Sequence, residues 1–486
     1  MIFIFIPKID EFFAHICYNI KKGGITMAEK ISWLNLSNDV LENITSYNEE
    51  YKDFLSKAKT ERLAVKEIIR MAEANGFKDA EKLIEKGTKI KKGDKLYFNN
   101  KEKSVLLFVI GEKKLEDGMR VVGAHIDSPR LDLKQNPLYE ASELAFLKTH
   151  YYGGVKKYQW TTIPLALHGV VYTKDLKKVE ISIGEDDDDP VFTITDLLIH
   201  LSREQMQKKL AEGILGEQLN VLIGTIPLES EDDDKSNRVK ANVMRIIKEK
   251  YGIEEEDFKV AEIEVVPAGK ARDLGIDRSM IFSYGQDDRV CAFAGLKGIL
   301  DMKDNKYTAL AMFMDKEEVG SQGNTGMASY VLENALHELA ALEGDYSALT
   351  VRRCLKNSWV LSADVTAGYD PNFDSVYEKT NSAVLGAGIA IAKYTGSGGK
   401  GGCNDANAEF LRDVRDIFDK AGVAWQTGEL GRVDAGGGGT IAYLLSKYGA
   451  EVVDCGTAVL NMHAPNEITS KFDTYMSYKA YKAFFE

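Results

Sequence analysis

The stretch MRVVGAHID (119–127) reads as a buried β-strand that ends in chemistry. It is apolar and β-branched without alternation, as in a strand covered on both faces, and it closes on His125-Ile126-Asp127. The same texture returns in SVLLFVIG (104–111), YTALAMFM (307–314), SWVLSADV (358–365) and AEVVDCGTAVL (450–460). Helical stretches such as RVCAFAGLKGILD (289–301) and ANAEFLRDVRDIFDKAG (406–422) lie between them. Near-continuous apolar strands alternating with helices predict an α/β body, a mixed sheet flanked by helices. Upstream, residues 61–87 show apolar positions at helical spacing with Gly76 in the middle, which predicts a helix pair or a broken helix.

Between about 134 and 280 the texture changes. Acidic clusters (GEDDDDP, 184–190; LESEDDDKSN, 228–237) alternate with strand-like segments such as KVEISIG, and TDLLIHLSREQMQKKL (195–210) reads as a short helix. Because the α/β pattern then resumes, residues 134–280 are expected to form an inserted, mainly β second domain within a catalytic domain built from 27–133 and 281–486. The acidic runs are solvated loops on this reading. Residues 1–26 carry an apolar run too short for a signal peptide, with no basic segment before it. Since Met27 opens MAEKISWLNLS, they are expected to be an upstream extension without function.

Composition narrows the function. A formal net charge of −13 with no basic, aromatic-interleaved face argues against a nucleic-acid partner. No apolar stretch approaches the roughly 20 residues that span a bilayer, so no membrane role is expected. Cys17, Cys291, Cys354, Cys403 and Cys455 form no C-x-x-C pair, which points away from a thiolate zinc site and towards a reducing, cytoplasmic setting.

Four ligand-type groups stand where apolar runs end: His125 with Asp127, Glu317-Glu318, Asp364, and His463. In open α/β sheets ligands bind beyond the carboxyl ends of the strands, so these groups are expected to converge. A fifth segment, GQDDRVCAFAGLKGIL, places Asp287 and Asp288 at the start of a helix. Singly, each has an ordinary structural reading as a cap or a surface charge. Jointly, buried carboxylates at one sheet edge repel one another unless cations neutralise them. A His/Asp/Glu set without thiolates suits zinc, cobalt or manganese. His125 and Asp127 point to the same side of a strand, so Asp127 can orient the imidazole or touch the metals. Adjacent Glu317 and Glu318 diverge, leaving one free to act as a base.

AHIDSPRLDLK (124–134), the DDR helix start, EEVGS (317–321), SADV with Asp364, LNMHAPNE (460–467) and the closing YKAFFE (481–486) resemble the motifs of the metalloaminopeptidase family that contains aspartyl aminopeptidase and vacuolar aminopeptidase I. The order and spacing match from about residue 35 onward, and YYGGVKKYQW (151–160) belongs to the match. The resemblance implies a dinuclear zinc-peptidase fold and a metalloaminopeptidase that removes N-terminal residues from peptides. It implies two divalent ions, most readily zinc, with Asp287 bridging them. His125 and Asp364 would complete one ion, and Glu318 and His463 the other. Asp127 would stand behind His125, and Glu317 would be the general base for metal-bound water. A homo-oligomer, a dodecamer assembled through the inserted domain, is also implied.

Where acid-preferring relatives carry a lysine, this sequence has Ala390, with Lys393 and Lys400 nearby, so acidic and neutral N-terminal residues both stay open. The Gly run of AGGGGTIAYLL (435–445) can let backbone approach a substrate. LGAGIA (385–390) does not complete a dinucleotide fingerprint. The rival readings are a related two-metal deacylase or carboxypeptidase, and a catalytically silent assembly protein.

Overall fold

The computed structural model describes residues 31–229, 236–344, 346–398 and 400–486. The segment 1–26, expected to be an extension, lies outside them. After helices α1 (Asn38–Lys57) and α2 (Glu61–Ala74), the chain enters a nine-stranded mixed sheet. At its centre run four parallel strands: β5 (Thr308–Met314), β1 (Met119–His125), β6 (Trp359–Ser362) and β8 (Glu451–Gly456), in that spatial order. Met314 pairs with His125 and Ser362 with Gly123, so the carboxyl ends of the strands form one edge. β7 (Ile389–Ala392) follows antiparallel to β8.

The lack of polar alternation in these strands has a direct structural cause. Every residue of β5 is buried, and its side chains alternate between two cores. Ala309, Ala311 and Phe313 pack with helices on one face, and Leu310, Met312 and Met314 with those on the other. The first face is covered by α1, α3 (Gln286–Asp301) and α4 (Lys471–Phe485). Phe293 of α3 is fully buried, with ring centroids 5.3, 5.4 and 5.1 Å from those of Tyr47, Tyr51 and Phe54 on α1.

After His125 the chain leaves the central sheet. It builds a separate seven-stranded antiparallel sheet that includes β2 (Arg130–Ala141), β3 (Leu144–Tyr152) and β4 (Glu262–Pro267), with its own core around Trp160, Leu165 and Val265. Ala458–Leu460 (β9) lies in a third, five-stranded sheet. Among the described residues, no helix is long and apolar enough to cross a membrane.

Two sequence expectations meet different outcomes. The pattern at 61–87 gives α2, a break at Gly76 (φ +85°) and a short helix at Ala80–Glu85, the expected helix pair. The single helix expected over 195–210 does not form. That stretch breaks into 3₁₀ turns at Ile199–Leu201 and Gln205–Gln207. Its apolar residues are consecutive rather than spaced for one stripe, and the Asp196 carboxylate takes up Leu197 N–H and the Gln205 amide instead.

Phe293→Ala is expected to cost about 3–5 kcal/mol, the loss for emptying a buried aromatic site, read as a lower urea midpoint with the fold retained.

Candidate functional site

The edge formed by the carboxyl ends of β5, β1 and β6 carries the polar groups that end those strands. His125 closes β1, Glu317 and Glu318 form a turn two residues beyond β5, and Asp364 follows β6. Asp287 stands in the first turn of α3, and His463 in the turn after β9.

The two imidazoles converge on one carboxylate. His125 Nε2 lies 3.1 Å from Asp287 Oδ1, and His463 Nε2 lies 3.2 Å from Asp287 Oδ2. The opposite nitrogens face carbonyls: His125 Nδ1 donates to Asp127 O at 3.0 Å, and His463 Nδ1 donates to Gly154 O at 3.1 Å. A carbonyl only accepts, so each Nδ1 carries a proton, and each Nε2, the nitrogen turned to the acidic oxygens, donates to Asp287 when protonated and can ligate a cation when not. Glu318 Oε2 is 3.4 Å from His463 Nε2, while Asp364 Oδ1 and Glu317 Oε2 are 3.8 and 3.9 Å from His125 Nε2.

This arrangement holds more carboxyls than cationic partners for them. Burial pushes the carboxyls of Glu318, Asp364 and Asp288 well above the usual carboxylate range, and that of Glu317 to about 7. Burial also raises Glu467, with help from the Asp287 charge, to about 8. For Asp287 burial acts in the same direction, but hydrogen bonds from His125 and His463 outweigh it and hold the group below its ordinary value. Burial lowers His463, yet its contacts with Asp287 and Glu318 bring it up to about 10. Buried Glu318 Oε1 and Asp288 Oδ1 have no hydrogen-bond partner. Ligand atoms of His125, Asp287 and Glu318 lie within 4.8 Å of one another, as do those of His125, Asp288 and Asp364. Imidazole Nε2 atoms turned inward, orphaned acidic oxygens and raised carboxyls fit divalent cations.

Asp127, given an orienting role by the resemblance, stands directly behind His125. Fully buried, it has Oδ1 3.4 Å from His125 Nδ1, and its oxygens accept the backbone N–H groups of Glu317 (3.1 Å) and Glu318 (3.2 Å). All seven residues named from the sequence therefore meet at one place.

Four others stand there without having been assigned. Asp288 accepts from His125 N at 3.3 Å, and Glu467 accepts from Asp287 N at 2.9 Å and His463 N at 2.8 Å. Tyr152 donates to Asp127 Oδ2 at 2.7 Å, and Gly154 supplies the carbonyl noted above. Asp288 was visible beside Asp287, but nothing in its spacing says that both turn inward. The other three lie in quoted motifs, Glu467 in LNMHAPNE and Tyr152 and Gly154 in YYGGVKKYQW, but nothing in those motifs says that they meet the histidines.

A cavity of about 910 Å³ opens from the cluster, lined by Asp287, Glu317, Glu318, Asp364 and His463 on one side and by Ala390, Thr395 and the Gly436–Gly439 run on the other. The expected approach of that glycine run to a ligand space is therefore met.

Sheet edge, acidic cluster and cavity define the chain as a hydrolase of the metal-dependent class. The family model for aminopeptidase I zinc metalloproteases (M18) matches residues 54–485, and the chain belongs to this family. Its activity is that of a metal-dependent aminopeptidase. A probable M18 family aminopeptidase 1 of Clostridium acetobutylicum is 53% identical over 455 residues, 94% of this chain and 97% of the relative. The crystal structure of an M18 aminopeptidase of Thermotoga maritima superposes with a TM-score of 0.89 at 43% identity, covering 94% of this chain and 99% of that one. The mApe1 dodecamer of Saccharomyces cerevisiae shares the fold, with a TM-score of 0.71 at 21% identity over 91% of this chain and 97% of that one.

Chelation should lower the melting temperature and added zinc should restore it with a concentration dependence, since a ligand bound only by the folded state stabilises by mass action. In Asp287→Asn that zinc dependence is expected to shrink or vanish, as thermal melts across a zinc series would read.

Proposed function

We propose that His125, Asp287, Glu318, Asp364 and His463 hold two divalent ions, zinc before cobalt or manganese, and that Glu317 is the general base for hydrolysis of N-terminal peptide bonds. The convergence of two imidazole Nε2 atoms on the two oxygens of Asp287 carries this reading. Asp287 is the bridge, with His125 and Asp364 towards one ion and Glu318 and His463 towards the other. When bound, such ions polarise a carbonyl, lower the pKa of water and stabilise developing negative charge.

The two glutamates divide by exposure. Both line the cavity, but the Glu318 side chain is 4% exposed and sits against His463, whereas that of Glu317 is 16% exposed. Glu317 is therefore the carboxylate that can take a proton from an attacking water and return it to the leaving amine. Asp127 keeps the His125 proton on Nδ1 and, by holding the N–H groups of Glu317 and Glu318, sets the turn that aims them.

Glu317→Gln is expected to lower kcat by about 10²–10⁴-fold with metal content unchanged. The same assay compares free-amine and N-acetylated peptides; turnover of blocked peptides alone would mean a deacylase. Its panel also includes neutral and acidic N-termini. Lys393 does not line the central cavity, being paired to Asp405 at 2.6 Å, whereas Ala390 and Arg432 do, so any preference for acidic N-termini is expected to depend on Arg432 and to be lost in Arg432→Ala.

We further read the segment 134–280 as an oligomerisation unit of a cytoplasmic homo-oligomer. Supporting this, Ile199, Leu201, Met206 and Leu210 of this segment are all exposed, and exposed apolar residues grouped together mark interaction sites. A dodecamer is the state named for the yeast relative. Light scattering is expected to give a mass of twelve chains; a monomer would remove the role given to this segment.

A further inference from the structure

We propose that Tyr152-Gly153-Gly154, where β3 of the antiparallel sheet ends, is a positioning clamp that orients both site histidines, His125 through Asp127 and His463 directly. The inference rests on reading those histidines as metal ligands.

His125 and His463 arrive on separate elements, the end of β1 and the turn after β9, so nothing in their own strands fixes one ring relative to the other. One short turn from a third element reaches both. The Tyr152 hydroxyl donates to Asp127 Oδ2 at 2.7 Å, and two residues on, Gly154 O accepts from His463 Nδ1 at 3.1 Å. Without the tyrosine hydroxyl, Asp127 Oδ2 keeps only the Glu318 N–H at 3.2 Å.

The tyrosine ring is itself held. The Arg130 guanidinium lies 3.9 Å from its centroid, and Arg130 is buried between Asp132 at 2.8 Å, Glu264 at 3.2 Å and Glu61 at 3.6 Å. A buried guanidinium hydrogen-bonded to Asp132 and within ion-pair reach of Glu264 and Glu61 is restrained, so the hydroxyl is aimed before any ion arrives.

On the other side, the His463 side chain is 35% exposed, so packing restrains it little and the carbonyl of Gly154 matters more. The two glycines make the approach possible. A Cβ at Gly153, whose φ is +73°, would meet the Glu318 Cβ at 3.3 Å, and one at Gly154 would meet His463 Nδ1 at 3.1 Å. Partners that orient ligating histidines are worth about ten- to a hundredfold in metal affinity.

The test measures zinc affinity of the full chain by competition with a chromophoric chelator, for the wild type, Tyr152→Phe and Gly154→Ala, with Tyr151→Phe on the exposed neighbour as control. Affinity is expected to fall about ten- to a hundredfold in both variants, for one of two zinc equivalents in Gly154→Ala. The control should match the wild type, and the metal-free melting temperatures of all four proteins should agree. The visible spectrum of the cobalt-substituted protein should shift in the two variants. Unchanged affinity in either variant, or a loss matched by a fall in metal-free melting temperature, overturns the clamp. If the wild type itself takes up no zinc, the ligand reading fails and the clamp falls with it.

Discussion

The structure turns on Asp287, the one carboxylate on which both imidazoles close. Each Nε2 faces an acidic oxygen because each Nδ1 is committed to a carbonyl, so it is Nε2 that donates to Asp287 when protonated and is free to ligate a cation when not. Around this pair stand Asp288, Glu317, Glu318, Asp364 and Glu467, all with carboxyls raised by burial. A site of this composition is unstable as a set of charges alone. Proton uptake relieves it in part, and divalent cations relieve it while keeping every oxygen available as a ligand. The surrounding fold is what holds the groups close enough for that repulsion to matter.

Parallel pairing is the device that brings them together. In a parallel array the strands end at one edge, so side chains that follow β1, β5 and β6 in sequence become neighbours in space without any local signal linking them. Burial of both faces is the condition for such an array, and it explains why these strands are mostly apolar rather than alternating. Chemistry at the edge and apolarity in the middle are two consequences of one topology.

That topology is also why so much of the site was legible in the sequence. A polar group at the end of an unbroken apolar run marks a strand's carboxyl end, which located His125, Glu317, Glu318 and Asp364. Asp287 and Asp288 were marked together by their place at the start of an apolar-periodic helix, and the family resemblance singled out Asp287. His463 followed the same strand-end rule, although β9 belongs to a different sheet from the other three. Asp288 was passed over because two adjacent carboxylates at a helix start are normally one cap and one surface charge. Glu467, Tyr152 and Gly154 act through backbone groups or a hydroxyl, across sheets joined by long stretches of chain, and no periodicity records such a meeting. The 195–210 stretch was misread because helical composition without a single stripe cannot hold a surface helix.

The residues that escaped the sequence share a physical character. Those found from it have inward-facing carboxylates or imidazoles, types rarely buried without purpose. Those missed contribute contacts that any tyrosine, glycine carbonyl or glutamate can make, and only three-dimensional placement distinguishes them. Tyr152 is informative because its support runs outward, through Arg130 to Glu264 of β4 and to Glu61 at the start of α2. The antiparallel sheet and the first helices are thereby linked to the same carboxylate that steadies His125. A shift of that sheet relative to the parallel array would act on Asp127 before it reached any ligand atom, and assembly through the sheet would have a direct route to the geometry of the centre.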